Sequence, residues 1–354
     1  MPRNSSKRTV NSHTGARENG DSRRSEETGQ THEYAVAPDH DEHDSSFATI
    51  RRSMRSLRTV AVFFLLLSPT DSLLAWGEKG HAICSEAATH GLPSEMPAFF
   101  HRAYPSLVYL GYDPDRWRGA GESFDASNTF DHFLDFEYVD GLNLSRDRYK
   151  FVQQLSDSGA LRRFGISNTT PGFLPWRIAE MTELLTNQWR LWRASRAGSV
   201  ERAQIEDNII FLAGTLGHFV ADGANPHHAS IHYNGWANAE NPNGYANDCD
   251  VHGRFESTFV SQIPVTFADV TPKLRPATLR PDAFAAAMEL IKDSLSNIDR
   301  IYALDRDKAF VRETKSAEGK AFTVDRMAVG ASLLRDLWWS TYKNSEQRAP
   351  RRRS

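Results

Sequence analysis

The segment His218-Phe-Val-Ala-Asp222-Gly-Ala-Asn-Pro-His227-His228 joins an apolar helical pattern to metal-ligating side chains. A second segment, His252-Gly-Arg-Phe-Glu256, repeats its spacing. In each, a histidine and a carboxylate stand four residues apart, which on an α-helix stacks both side chains on one face. Helical proteins hold hydrolytic metal ions with such imidazole and carboxylate groups. One pair alone is commonly a solvated surface pair, but the repeat and the histidines after an Asn-Pro turn favour a metal site.

Apolar residues recur with helical periodicity on both sides of these segments. The pattern predicts helices over residues 177–194, 201–220, 281–298 and 323–342. Alternating strand patterns are scarce and short, so we predict an all-α fold, a single helical domain with long loops. Residues 113–128 and 233–250 are rich in glycine and polar residues and are predicted to be loops. Loops of that length in a compact domain are often functional.

The chain has three compositional zones. Residues 1–53 are polar and lack apolar periodicity, so they are predicted to be disordered, either as a cytoplasmic leader or as an over-extended gene start. Residues 54–75 have an arginine-rich flank and a short apolar run that ends near Ala75, the pattern of a signal peptide. Residues 76–354 would then be the mature helical domain, secreted or periplasmic after cleavage near Ala75–Trp76.

Charge and cysteine content exclude several classes of protein. The formal net charge of −3 gives no strong basic field for nucleic-acid binding, although metal ions can attract phosphate without one. The two cysteines, Cys84 and Cys249, exclude a zinc ribbon and a disulfide-dense scaffold. They fit one disulfide in an exported chain or two free thiols equally well. We predict no stable membrane span, and the sequence implies no protein partner.

Three motifs of the mature region resemble the zinc-dependent phospholipase C and S1/P1 nuclease family: its start Trp76-Gly-Glu-Lys-Gly-His81, the His218/Asp222/His228 run and the His252/Glu256 pair. The resemblance covers essentially the whole mature region, in order. It implies a mostly helical fold that holds three zinc ions in a cleft and cleaves phosphate esters.

The resemblance also implies the ligands of the three Zn²⁺ ions: the free α-amino group and carbonyl of Trp76 with His81; His132 with His218; and His228 with His252 and Glu256. Asp222 would bridge the first two ions. The family pattern includes an aspartate upstream of His132, and we assign it to Asp115, with Asp113 and Asp125 as alternatives. Asp115 is the candidate catalytic residue, which would ligate zinc, orient the attacking water or act as general base.

The two branches of the family differ in substrate, and the motifs point both ways. The short spacing between Trp76 and His81 and the long loop between His228 and His252 resemble the nucleases. Glu256 stands where nucleases usually carry aspartate, and so resembles the phospholipases. We predict a nuclease-like phosphodiesterase that acts on single-stranded nucleic acid. A phospholipase C acting on phospholipid headgroups is the alternative, and a non-catalytic metal-binding helical protein is the third hypothesis.

Recognition of a nucleobase would need an aromatic stacking platform near the metal ions. Trp236 and Tyr245, in the predicted loop 233–250, are the candidate substrate-binding residues. Packing anchors for the loop are the alternative interpretation of these two rings. Only one histidine of the His227-His228 pair fits the family pattern, so we interpret His228 as the ligand and His227 as a neighbour on the cleft rim.

Overall fold

Helices account for the regular structure of the described chain, which confirms the predicted all-α fold. A computed structural model describes residues 76–237, 240–311 and 316–347, and these residues form a single helical domain without a sheet. The leader and the predicted signal peptide, residues 1–75, lie outside the described residues. The helices are α1 (Gly77–His90), α2 (Ala98–Arg102), α3 (Tyr104–Leu110), α4 (Asp113–Arg116), α5 (Glu122–Asn128), α6 (Arg148–Asp157), α7 (Ala160–Phe164), α8 (Leu174–Ala194), α9 (Val200–Ala224), α10 (Val251–Gly253), α11 (Val260–Gln262), α12 (Phe267–Val270), α13 (Ala283–Leu295), α14 (Ile298–Arg306) and α15 (Ala317–Asn344).

The helices predicted from periodicity are present, with bounds that local chemistry explains. The predicted helix 281–298 breaks into α13 and α14, and α15 begins six residues earlier than its apolar pattern does. Side-chain oxygens mark the true starts: Ser199, Asp282 and Ser316 accept a backbone N–H in the first turn of α9, α13 and α15. Such caps satisfy amides that a helix otherwise leaves unpaired.

The central element is α9, which packs against α1, α3, α8, α13 and α15. Residues 213–224 of α9 are all buried, so the last three turns of this helix are covered on every side. Glycine allows the close approach: a Cβ added at Gly214 would lie 2.4 Å from Cβ of Leu110, and one at Gly330 would lie 3.0 Å from Cβ of Ala224. His218 and Asp222 therefore lie inside the domain, not on its surface.

Residues 113–128 are not the loop that their composition predicts. They form α4 and α5, and Pro114 stands in the first turn of α4, where its missing N–H costs nothing. Gly119 and Gly121, both with positive φ, separate the two helices. Glycine and proline here mark the ends of short helices. The described part of residues 233–250 is irregular, as predicted, apart from an isolated bridge between Tyr233 and Gly235.

The structure also bears on the cysteines and on membrane insertion. Cys84 is buried in α1 and Cys249 is exposed, and both are free thiols, so the disulfide alternative does not hold in this structure. None of the helices in the described ranges combines the length and apolar character needed to cross a bilayer.

Candidate metal centre

Eight buried histidine, aspartate and glutamate side chains converge around the end of α9, and each is at most 5% exposed. They form three groups, and within each group the ligand atoms all lie within 4.8 Å of one another. Two groups share His218 and are called the His218 groups; the third is called the Glu256 group. The members are His81, Asp115 and His218; His132, His218 and Asp222; and His228, His252 and Glu256.

His218 and Asp222 come from consecutive turns of α9. Nε2 of His218 lies 3.2 Å from Oδ2 of Asp222, which realises the spacing seen in the sequence. The other ring nitrogen, Nδ1, lies 3.1 Å from the carbonyl oxygen of Gly111. Because that nitrogen donates to the carbonyl, Nε2 is left as the electron-pair donor that faces the group.

Two histidines from other elements close around Asp222. His81 on α1 stacks on the ring of His218, with ring centroids 4.1 Å apart, and its Nε2 lies 3.4 Å from Oδ1 of Asp222. His132 follows the 3₁₀ turn Thr129–Asp131, and its Nδ1 lies 2.9 Å from Oδ2 of Asp222. The Asp222 carboxylate thus stands between His81 on one oxygen and His132 and His218 on the other.

Asp115 is the one of the three candidate aspartates that joins the cluster. It is 4% exposed, and its Oδ1 lies 3.7 Å from Nε2 of His218. Asp113 instead accepts a hydrogen bond from the indole N–H of Trp117, and Asp125 accepts one from the backbone N–H of Gly119. Of these three aspartates, the structure therefore places Asp115 in the cluster, because α4 turns this residue inward.

Arg118 is a neighbour of the cluster that the sequence did not single out. Its Nε donates to Oδ1 of Asp115 at 2.9 Å, and its side chain is 30% exposed. Burial raises the pKa of Asp115 to about 6, although the charges of His218 and Arg118 oppose the shift. The Asp-x-x-Arg spacing brings the two side chains together because the turn of α4 continues past Arg116, with the N–H of Arg118 donating to the carbonyl oxygen of Asp115.

The Glu256 group is assembled from short, irregular elements. His228 ends the 3₁₀ turn Pro226–His228, His252 lies in α10, and Glu256 lies in the π-helical segment Arg254–Phe259. Nε2 of His252 lies 2.7 Å from Oε2 of Glu256 and 3.2 Å from Nε2 of His228. Nδ1 of His228 donates to the carbonyl oxygen of His132 at 2.7 Å, which ties this group to the segment that carries a ligand of the His218 groups.

The donor atoms fit metal ions. Oδ2 of Asp115, Oδ1 of Asp222 and Oε1 of Glu256 are buried without a hydrogen-bond partner. Buried polar atoms are nearly always paired, because an unpaired one costs about 1–3 kcal/mol. Ligand atoms at the corners of a tetrahedron around zinc lie about 3.3–3.6 Å apart, since each lies about 2.0–2.2 Å from the ion. The separations of 3.2 and 3.6 Å from Nε2 of His228 to Nε2 of His252 and Oε2 of Glu256 are close to that spacing, whereas the latter two atoms, 2.7 Å apart, are at hydrogen-bond distance.

The shifted pKa values indicate that Asp222, at the centre of the cluster, is ionised. Burial alone would raise the pKa of Asp222, but the charges of His218 and His228 outweigh it and hold the pKa well below its usual range. Burial lowers the pKa of His132 to about 3 despite its hydrogen bond to Asp222, so this ring is neutral and available as a ligand. Burial also opposes charge on His228, but Asp222 and Glu256 raise its pKa to about 9.

Asn225 is a second residue that the sequence analysis did not assign. It follows the last residue of α9 and is fully buried, and its Nδ2 donates to Oε2 of Glu256 at 2.9 Å. Its Oδ1 accepts the backbone N–H of His227 at 3.2 Å and so caps the 3₁₀ turn. One amide therefore sets the exit from α9 and orients a candidate ligand; the Asn-Pro pair in the sequence marked only the turn.

His227 is not on the cleft rim, and that prediction is wrong. The ring is fully buried beside His252, 5.0 Å between centroids, and is edge-on to Phe255 and Tyr302. The cause is the 3₁₀ turn, in which successive side chains point about 120° apart. His228 therefore faces the other ligands while His227 points into the aromatic core.

Trp76 contacts the Glu256 group, whereas the family resemblance implies that its backbone atoms share a zinc ion with His81. Its side chain is fully buried, and the indole N–H donates to the carbonyl oxygen of Ala221 at 2.7 Å. Its backbone nitrogen lies 3.1 Å from Oε2 of Glu256, and its carbonyl oxygen accepts the N–H of Gly80 in α1. In the uncut chain this nitrogen is an amide, so it donates to the carboxylate.

The two candidate stacking residues are packed together in the loop. Trp236 stacks on His232 with centroids 3.9 Å apart, and Tyr245, 7% exposed, lies against the rings of Trp236 and Tyr302. This geometry is that of packing anchors, and Tyr245 presents no open face to a ligand. Tyr233, which the sequence analysis left out, is 46% exposed, and its ring lies 6.5 Å from that of His252.

Comparison with known proteins gives no independent evidence about this site. No protein-family model matches the chain, and no curated protein matches it. The case for a metal centre therefore depends on the arrangement of the chain's own residues.

Proposed function

We propose that this chain is a zinc-dependent phosphodiester hydrolase that acts on single-stranded nucleic acid. The observation that carries the proposal is the adjacency of the three ligand groups. The two His218 groups share a residue, and Nδ1 of His228 in the Glu256 group lies 4.0 Å from Oδ2 of Asp222. Closely spaced metal sites are typical of enzymes that transfer or hydrolyse phosphate esters.

The donor set favours zinc. The groups offer imidazole nitrogens and carboxylate oxygens, which suit zinc, and they include no cysteine. Cys84 is buried on α1, the helix that carries His81, but it belongs to none of the three groups. Zinc ions bound here would supply a water molecule of lowered pKa and an electrophile for the phosphoryl oxygen.

The residues around the groups have the chemistry that such a reaction needs. Asp115 has one oxygen fixed by Arg118, and its other oxygen, Oδ2, has no hydrogen-bond partner. With a pKa near 6, that carboxylate can accept a proton from a water molecule at neutral pH. The partly exposed guanidinium of Arg118 would neutralise charge on a phosphate bound beside it.

These contacts support an enzyme over a protein that only stores metal. The storage hypothesis becomes attractive when Asp115 or His132 lies away from the other ligands, and both lie within the groups. A storage site also has no use for a partly exposed arginine at its edge. The choice of nucleic acid over phospholipid rests on the nuclease-like spacing of the motifs, and the assay below decides it.

The test uses zinc-loaded mature protein that begins at Trp76, assayed in parallel on single-stranded DNA, RNA and phosphatidylcholine. We expect cleavage of nucleic acid, and we expect Asp115→Asn to lower kcat by about 100-fold or more, the usual loss when a general base is removed. Asp113→Asn is the matched control, since Asp113 lies on the same helix but pairs with Trp117 and Arg116.

Three outcomes would change the proposal. Activity on phosphatidylcholine alone would make the protein a phospholipase C. A full metal complement with no activity on any of the substrates would favour the non-catalytic metal-binding protein. Equal losses in Asp113→Asn and Asp115→Asn would remove the assigned role of Asp115.

A further inference from the structure

A cavity of about 500 Å³ lies beside the metal centre and contains none of its candidate ligands. Its lining includes Phe136 and Tyr138, in the 3₁₀ turn Phe136–Tyr138, Phe164 at the end of α7 and Leu295 at the end of α13. This volume is within the usual range of about 300–1,000 Å³ for ligand sites.

The wall of this cavity is fixed to the segment that carries His228. The N–H groups of Leu134 and Phe136 donate to the carbonyl oxygens of His228 and Ala229, at 3.0 and 3.3 Å. The carboxylate of Glu137 accepts hydrogen bonds from the hydroxyl of Ser230 and the N–H of Ile231. Phe136 also follows the candidate ligand His132 by four residues, a span of at most about 14 Å even in fully extended chain. A nucleic-acid strand whose phosphate lies at the metal centre could therefore extend into the cavity.

Three aromatic rings and one cation, Arg163, line this cavity together with the acidic Glu137 and Asp140, and a second cation, Lys292, lies against the ring of Phe136. Tyr138 and Phe164 lie edge to face, with centroids 5.2 Å apart, and Phe164 is 36% exposed. The guanidinium carbon of Arg163 lies 4.5 Å from the centroid of Phe164, and Nζ of Lys292 lies 5.5 Å from that of Phe136. Aromatic faces that stack bases, next to cations that follow the backbone, are what single-strand binding sites combine.

We propose that this cavity is a base subsite: it takes a nucleobase of the strand on one side of the scissile phosphate, and Arg163 and Lys292 lie next to the phosphates beyond it. The inference rests on the proposed nuclease function. An acyl chain would require an exposed apolar rim, whereas this rim carries the exposed charges of Arg163 and Asp140. The carboxylate of Glu137 accepts its hydrogen bonds from Ser230 and Ile231, on the side of the segment that carries His228, and Arg163 is the lining residue whose charge opposes those of Glu137 and Asp140.

The test compares Phe164→Ala with the control Tyr149→Ala, which removes an aromatic ring that is 84% exposed on α6. Each zinc-loaded protein is assayed on a single-stranded octathymidylate and on bis(4-nitrophenyl) phosphate, which has no base. Binding of a phosphorothioate octathymidylate is measured separately by fluorescence anisotropy. Phe164→Ala should lower kcat/KM for the octathymidylate and weaken its binding by about 5- to 150-fold, the usual worth of one stacked base. Hydrolysis of the small ester should be unchanged, and Tyr149→Ala should change neither activity.

A second variant, Arg163→Gln, keeps the aromatic wall and removes the cation. It should weaken oligonucleotide binding less than Phe164→Ala does, and the loss should shrink as salt is raised. Equal losses on both substrates, or no loss on the octathymidylate, would overturn the subsite. Wild-type protein that hydrolyses neither ester would refute the proposed function alone, because the anisotropy measurement would still decide whether Phe164 contacts a base.

Discussion

The His218 groups and the Glu256 group use the same kinds of side chain on opposite kinds of scaffold. His218 and Asp222 belong to the buried stretch 213–224 of α9, the helix that packs against α1, α3, α4, α8, α13 and α15. The Glu256 group stands on a 3₁₀ turn, a three-residue helix and a π-helical segment, next to an irregular loop. Packing of helix against helix fixes the first set of ligands, whereas hydrogen bonds from Asn225 and Trp76 orient the carboxylate of the second.

The π-helical segment explains part of this difference. A π turn is wider than an α turn and usually occurs as a short insertion at functional sites. Here it carries Glu256 and starts directly after α10, so the His252–Glu256 pair crosses from α-helical into π-helical geometry. The same four-residue spacing is therefore realised with one regular helix at His218 and Asp222, and with a helix junction at His252 and Glu256.

The largest effect is expected from Asp222→Asn, because Asp222 lies where the His218 groups and the Glu256 group meet. Asp222 contacts His81, His132 and His218, and its carboxylate faces the Glu256 group through His228. The amide keeps the size but removes the charge and one acceptor oxygen, so we expect loss of at least one metal ion per molecule and near-complete loss of hydrolysis. Elemental analysis beside an activity assay measures both, and Asp125→Asn serves as a control outside the cluster. An active variant with a full metal complement would contradict the prediction.

Glu256→Gln should separate the two regions. We expect this variant to lose the ion of the Glu256 group and to keep those of the His218 groups, because the buried part of α9 does not depend on Glu256 for its packing. Metal stoichiometry by mass spectrometry and the thermal unfolding midpoint, measured together, test the point. Loss of every ion from this single change would show that the groups form one cooperative unit.

Residues fused ahead of Trp76 should weaken the Glu256 side of the centre. The backbone nitrogen of Trp76 lies 3.1 Å from Oε2 of Glu256, and only a free α-amino group, not an amide, is a good ligand for zinc. We expect full-length protein, or protein with added N-terminal residues, to carry one ion fewer and to be weakly active. N-terminal sequencing of exported protein, together with its metal content, checks this; full activity in the extended form would count against it.

A pair of glycine substitutions sharpens the contrast in packing. A Cβ at Gly214 of α9 would lie 2.4 Å from Cβ of Leu110, which cannot swing away, so Gly214→Ala should destabilise the protein by about 1–3 kcal/mol. A Cβ at Gly253 of α10 meets nothing within 4 Å, and Gly253→Ala should be neutral or stabilise by up to about 1 kcal/mol. Urea denaturation of both variants measures the difference. Equal effects would mean that α9 is no more tightly packed than α10.

The smallest effect is expected from Trp236→Ala. Trp236 stacks on His232 and contacts Tyr302, and an aromatic pair of this kind is worth about 0.5–1.5 kcal/mol. We expect hydrolysis of single-stranded DNA and of a small chromogenic phosphodiester to fall together by roughly fivefold, about 1 kcal/mol, because the loop positions His252. A loss restricted to DNA would show instead that Trp236 stacks a base, as the sequence first suggested.

Helical periodicity was enough to place His218 and Asp222 on one face, but the sequence did not predict the neighbours of ligands that sit on short elements. The spacing of His218 and Asp222 on α9 follows from the apolar pattern of residues 201–220 alone, since a regular helix fixes which residues share a face. Arg118 was missed because glycine and proline in residues 113–128 suggested a loop and concealed both α4 and the turn that follows it.

His227 and Asn225 were misjudged for a related reason. Their orientations depend on one 3₁₀ turn, and a pattern of residue types does not specify whether a turn is 3₁₀, α or π. Asn225, which caps that turn, also donates a hydrogen bond to Glu256, which is distant in sequence. Contacts between residues distant in sequence produce no periodic pattern from which the conformation of this turn could be predicted.

The burial of α9 has a consequence for time scales. Backbone amides in a helix covered on all sides exchange with solvent only when the whole domain opens, whereas amides in short elements beside a loop exchange through small local openings. Deuterium should therefore enter the segment 250–259 long before it enters residues 213–224. If so, metal ions would leave and enter through the Glu256 side while α9 stays folded. A metal-depleted centre could then rebind its ions without unfolding of the domain.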